Sequence, residues 1–183
     1  TALESNPTIS SNMTLYAVWT VDASAQDEQC ANVTTSGTQS SIAVGDYSLY
    51  FSSSNTEYNS LSVKSSTANK CEGECRYYMP GVVVALTNSN ASTIKLKGQQ
   101  DYDVTVSKVM VADALDGAWR EISFTPVAYT GTSCGVLGIS GVQIAQGKYV
   151  FMGFSGGAKN EFRISGLCIT PFTDPCPSIA IVN

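Results

Sequence analysis

A chain of 183 residues, 43% hydrophobic and 14% charged, is a folded rather than a disordered polypeptide, with room for one domain of roughly 150 residues plus flanking pieces. Its net charge of −5 and its ten scattered Lys and Arg residues leave no basic stripe for a phosphate backbone, so nucleic acid is not an expected partner. The chain has no histidine, which removes Ser-His-Asp and Cys-His catalysis and the common Cys/His zinc sites.

In chain order, Met13-Thr14-Leu15-Tyr16-Ala17-Val18-Trp19 follows the turn-like Thr8-Ile9-Ser10-Ser11-Asn12 and has strand character, apolar on both faces. Residues 8–19 resemble the last strand of the Listeria–Bacteroides (internalin-B-type) repeat, a small β-grasp module of bacterial surface and secreted proteins. The resemblance implies that residues 1–20 are the remnant of an upstream repeat. The small, acidic stretch that follows is expected to be a linker over 21–29, leading into a main domain at 30–176.

Within that domain, short strands alternate with polar turns. Ser41 to Ser52 alternates through Ile42, Val44, Tyr47, Leu49 and Phe51, with Gly45-Asp46 as a turn or bulge. Leu61 and Val63 share one face of a short strand. Tyr77 to Leu86 reads as one strand bent, or begun, at Pro80-Gly81; its run Val82 to Leu86 is the longest apolar stretch and far too short for a bilayer. Further strands are expected at Thr93–Leu96, Tyr102–Val111, Ala118–Val127, Val136–Ile144 (less regular, with two glycines), Lys148–Phe154 and Glu161–Thr170. Nine or ten strands with little helix predict an all-β protein, an antiparallel β-sandwich. After Pro171–Pro177, Ser178–Val182 reads as the start of a following module at 177–183.

Two segments echo each other: Gly45-Asp46-Tyr47-Ser48-Leu49 and Gly147-Lys148-Tyr149-Val150-Phe151. Gly-x-Tyr entering a strand is ordinary sandwich chemistry, which competes with internal duplication. Gly147-x-Tyr149-x-Phe151, a glycine-rich turn and then Phe162–Ile169 resemble the closing hairpin of galactose-binding-like jelly rolls, a fold of many non-catalytic carbohydrate-binding modules. That resemblance implies a jelly roll and a sugar ligand.

The six cysteines, Cys30, Cys71, Cys75, Cys134, Cys168 and Cys176, are even in number and fit up to three disulfides in an oxidising compartment. The local pairing expected is Cys71–Cys75, stapling Glu72-Gly73-Glu74; free buried cysteines are the alternative. Asn12, Asn32 and Asn90 stand in Asn-x-Ser/Thr sequons.

Glycan binding needs aromatic rings for the apolar sugar face and polar groups for the hydroxyls. Trp119 beside Asp116-Gly117, Arg76-Tyr77-Tyr78 after the expected staple, and Tyr58 in a polar loop supply both. Trp119 is equally well read as core, and strand alternation allows only one of Tyr77 and Tyr78 to face outward. Asp101, Asp103, Asp113, Asp116, Glu121 and Glu161 are carboxylates for a two-acid hydrolase, but their settings fit turn chemistry better. The same oxygen-rich loops leave a structural calcium ion open without assigning it. The expectation is therefore a monomeric, non-catalytic glycan-binding module of a secreted or cell-surface bacterial protein, with polysaccharide and neighbouring domains as partners and no cofactor. The alternative is a structural spacer or adhesin domain without a glycan ligand.

Overall fold

Period-two patterning of apolar residues produces the strands. In the computed structural model Ile94 and Leu96 are buried while Lys95 and Lys97, which alternate with them, are half-buried, and Ile42 and Val44 flank an exposed Ala43. The structure describes residues 26–33, 38–60, 63–66, 71, 76–100, 103–131, 134–156 and 162–172, with the backbone alone for 38–39, 63–66 and 76–78. The repeat remnant at 1–20, most of the linker and the module start at 177–183 lie outside the described residues. So do Leu61, Cys75, Cys176, Asp101 and Glu161.

Among the described residues there are fourteen strands, no helix, and two antiparallel sheets. The first sheet runs β11 (Thr125–Gly131), β12 (Gly135–Ser140), β8 (Thr93–Gln99), β14 (Phe162–Thr170), β6 (Arg76–Met79), β5 (Val63–Ser66) and β2 (Thr38–Gln39). Beside β6, β1 (Gln29–Asn32) also pairs with β14. The second sheet runs β10 (Arg120–Glu121), β9 (Thr105–Ala112), β13 (Tyr149–Ser155), β7 (Gly81–Ala85), β4 (Tyr47–Ser52) and β3 (Ser41–Val44).

From β6 onward the chain winds back and forth between the sheets. The resulting neighbour orders, β6-β14-β8-β12 and β7-β13-β9-β10, are those of a jelly roll. The core lies between the sheets, where Leu49, Val82, Val84 and Val150 of the second meet Leu96, Leu137, Ile139 and Leu167 of the first.

Two stretches expected to be single strands are each split by a crossing. Met79 ends β6 in the first sheet and Gly81 begins β7 in the second, so Pro80 alone makes the crossing. Proline lacks the N–H that a ladder needs, while its carbonyl is still used, accepting from Phe154 N at 2.8 Å. Likewise Arg120–Glu121 ends in the second sheet and Thr125 begins in the first; Ile122 and Phe124 pack against the core between them. These crossings, with the short strands β1 and β2, account for fourteen strands in place of nine or ten.

The β3–β4 hairpin is as expected. Val44 pairs with Tyr47 across Gly45-Asp46, and Gly45 has φ of +57°, the positive value that the tightest hairpin turns require. The echo of this segment at Gly147 does not extend to facing. Tyr47 points into the core, its hydroxyl 2.8 Å from Ser89 Oγ, whereas Tyr149 lies outside the core on the opposite face. Asn90, a sequon residue, spends its amide on Phe172: Nδ2 donates to the carbonyl and Oδ1 accepts from the backbone N–H, both at 2.9 Å.

The expected Cys71–Cys75 staple is corrected. Cys71 is bonded to Cys134, 63 residues away, tying the segment before β6 to the β11–β12 turn. Cys30 is bonded to Cys168, its direct partner across the β1–β14 ladder, with Cα atoms 4.1 Å apart. Both bridges close long loops, where cross-linking restricts the unfolded chain most. Non-reducing peptide mapping should therefore recover a peptide pair joining Cys71 to Cys134. Replacing Cys30 and Cys168 together by Ser should cost about 2–5 kcal/mol in denaturant unfolding; an unchanged midpoint would contradict the role given to this bridge.

Candidate functional site

An antiparallel sheet ordinarily buries one face and leaves the other to water. The centre of the second sheet departs from this. Every residue of β7, Gly81-Val82-Val83-Val84-Ala85, is buried, and in β13 the buried run extends from Val150 to Phe154. Val82, Val84, Val150 and Met152 belong to the inter-sheet core, so Val83 and Phe151 point the other way, yet both are 0% exposed. Register places Tyr50, Val83, Phe151 and Met110 in one row across β4, β7, β13 and β9. The adjacent row is Ser48, Ala85, Tyr149 and Ala112. This outer face is therefore apolar at its centre and needs a cover.

The loop after β4 supplies one side of it. Ser52 Oγ donates to the Glu57 carbonyl at 2.9 Å and accepts from the N–H groups of Ser54 and Asn59, folding the loop on itself. Asn55 Nδ2 donates to the Phe154 carbonyl at 3.0 Å, which clamps the loop onto β13. The approach is possible because the sheet carries Gly81 and Gly153 beneath it. A Cβ at Gly153 would stand 1.9 Å from the Asn55 carbonyl oxygen, and one at Gly81 would stand 2.5 Å from that of Ser54. From this loop Tyr58 reaches Trp119, ring centroids 5.8 Å apart.

Trp119 supplies the other side. It stands at the end of the β9–β10 connection, where its indole Nε1 donates to the Leu115 carbonyl at 3.3 Å. Its ring meets Phe151 edge-on, at 6.4 Å and 75°. Of the two readings that the sequence left open, the inter-sheet core is not where Trp119 lies; it is half-buried over the outer face. Tyr50 and Tyr149 form a second tilted pair at 6.2 Å. Tyr50, Tyr58, Trp119 and Tyr149 are all half-buried, so each keeps part of its ring in water. Burial, with the nearby Tyr149 and Tyr58 hydroxyls, raises the pKa of Tyr50 above the usual phenol value.

Charges at the margin of this face are largely taken in pairs. Lys108 Nζ lies 3.5 Å from Glu121 Oε2, and Lys148 bonds Asp113. The hydrogen bond and charge of Lys148, with a smaller contribution from Arg120, lower the Asp113 pKa. A general acid for glycoside cleavage needs the opposite shift. Asp103 and Asp116 are exposed.

Of the sequence-predicted glycan-binding residues, the structure brings Trp119 and Tyr58 together. Arg76, Tyr77 and Tyr78 lie on β6 in the first sheet, away from that pair; for these three only the backbone is described. Tyr50, Tyr149 and Phe151 were not among the expected site residues. Strand parity carried a signal for Tyr50, since an inward Leu49 and Phe51 leave it outward. No protein-family model, curated protein or solved structure matches the chain.

The raised Tyr50 pKa has a signed consequence. Its contribution to stability is complete below the unfolded phenol value, about 10, and is lost as pH rises through the folded value. Unfolding free energy measured from pH 9 to 12 should fall over this window, and Tyr50→Phe should flatten that part of the profile. An identical slope in the variant would contradict the shift.

Proposed function

We propose that the outer face of the second sheet binds glycan without cleaving it. The observation that carries the reading is the meeting of Tyr50, Tyr58, Trp119 and Tyr149, each half-buried, over a floor of Val83 and Phe151. Half-exposed rings on a supporting sheet suit the apolar face of a sugar, and tyrosine hydroxyls suit its edge. The loop carrying Tyr58 is held by its own hydrogen bonds and by Asn55, so little ordering cost remains for binding. The first row of the face spans three strand spacings, roughly 14 Å, longer than one sugar ring.

The resemblance of residues 147–169 to galactose-binding-like modules supports the same reading, and that of residues 8–19 to the internalin-B-type repeat supports a modular surface or secreted protein. Two disulfides accord with an extracellular setting. No helix among the described residues is long and apolar enough to cross a membrane. A spacer or adhesin domain is the competing reading. It draws on the packing of Trp119 against Phe151, which covers the sheet whether or not a ligand is bound.

Affinity electrophoresis through gels containing plant, microbial or host polysaccharides tests the proposal. Retardation by at least one polysaccharide is expected, weakened roughly tenfold by Trp119→Ala and less by Tyr50→Ala. If no polysaccharide retards the folded protein, the glycan reading is wrong and the spacer reading takes its place.

A further inference from the structure

Two disulfides among the described residues differ in what surrounds them. Each joins an exposed cysteine to a buried one, Cys134 to Cys71 and Cys30 to Cys168. Access alone therefore does not separate them; charge and topology do.

Cys71 and Cys134 both line a cleft of about 180 Å³ on the first sheet, together with Asn32, Lys97, Val136 and Ser165. Such a volume holds several waters, and so the thiol end of a small molecule. Lys97 brings the one charged side chain in that lining. Its Nζ donates to Asn32 Oδ1 at 2.7 Å, and among the described residues no carboxylate lies within ion-pair distance of it. Lys95, Lys108 and Lys148 each hold a carboxylate.

At the other bridge a carboxylate stands beside the sulfur: Glu28 Oε2 lies 3.8 Å from Cys30 Sγ. Lys95, opposite Cys168 in the ladder, has its charge taken by Glu28 Oε1 at 2.6 Å. The β1–β14 ladder also holds Cys30 opposite Cys168, so a broken bond would re-close in place. Cys71 and Cys134 belong to elements that are not neighbours, since β8 and β14 stand between β12 and β6.

We infer that Cys71–Cys134 is a thiol-exchange site, opened by a low-molecular-weight thiol, while Cys30–Cys168 stays closed. The incoming thiolate attacks the exposed Cys134 Sγ. A new S–S bond forms there as the Cys71–Cys134 bond breaks, and the electron pair leaves on Cys71 Sγ as a thiolate. Lys97 favours the approach of one anion and the departure of the other, whereas Glu28 opposes both at Cys30. The products are a mixed disulfide on Cys134 and a thiol at Cys71, and a second exchange restores the bridge. Both cysteines lie outside the strands, so exchange releases the β11–β12 turn from the segment before β6 without breaking a strand pairing. None of the residues of the aromatic face is used.

Reduced glutathione added to the folded chain, after any free thiols have been blocked with maleimide, tests the inference. Samples are quenched in acid, alkylated with a second label and mapped by mass spectrometry. Cys71–Cys134 should open roughly tenfold faster than Cys30–Cys168, with glutathione on Cys134. Lys97→Gln should slow this opening roughly two- to fivefold, and Lys97→Arg, which keeps the charge, should retain the parent rate. The inference is overturned if Cys30–Cys168 opens first or at the same rate, if glutathione is found on Cys71 in place of Cys134, or if Lys97→Gln reacts as fast as the parent.

Discussion

The burial of Val83 and Phe151 on the outer face of the second sheet is the constraint on which much else depends. A β-sandwich closes one core between its sheets, and Val82, Val84, Val150 and Met152 are spent on it. With Val83 and Phe151 apolar as well, the central strands face a second demand for cover on the solvent side. Fully burying side chains of this kind is worth about 1.5–3 kcal/mol each, enough to organise the loops around them. The Ser53–Asn59 loop, the β9–β10 connection and the rings of Tyr50 and Tyr149 meet that demand, and the cover they build is aromatic.

The cover depends on backbone as much as on side chains. Gly81 and Gly153 let the loop carbonyls of Ser54 and Asn55 approach the sheet directly, which sets Tyr58 at the height of Trp119. At the edge where the chain crosses from β10 to β11, the first sheet carries a bulge at Ala128–Tyr129.

Much of the architecture was legible in the sequence because it follows from local parity. Ile42, Val44, Leu49 and Phe51 alternate inward as expected, and Gly45-Asp46 makes the turn between their strands. The crossings were not legible. Tyr77–Leu86 and Ala118–Val127 read as continuous strands, because whether a chain stays in its sheet is set by distant partners. For Pro80 these are β14 on one side and β13 on the other. Cys71 pairs with Cys134 instead of nearby Cys75 for the same reason: proximity in the chain does not determine proximity in the fold. The site was half legible. Trp119 and Tyr58 stood out as loop aromatics, but Val82 to Leu86 is apolar throughout and carries no parity, so nothing in it marked Val83 as outward. The face that Tyr149 and Phe151 share with Val83 was hidden for that reason.

The central claim is that the aromatic cover of the second sheet is also a ligand platform. Trp119 offers a direct reporter, since the chain contains only one other tryptophan, Trp19. Nuclear magnetic resonance of the indole N–H and tyrosine ring signals, during titration with soluble oligosaccharides, measures contact at this face. Saturable shifts are expected at Trp119 together with Tyr50 and Tyr149. A Trp119 signal and tyrosine rings that stay fixed while other residues respond, or while none do, would contradict it.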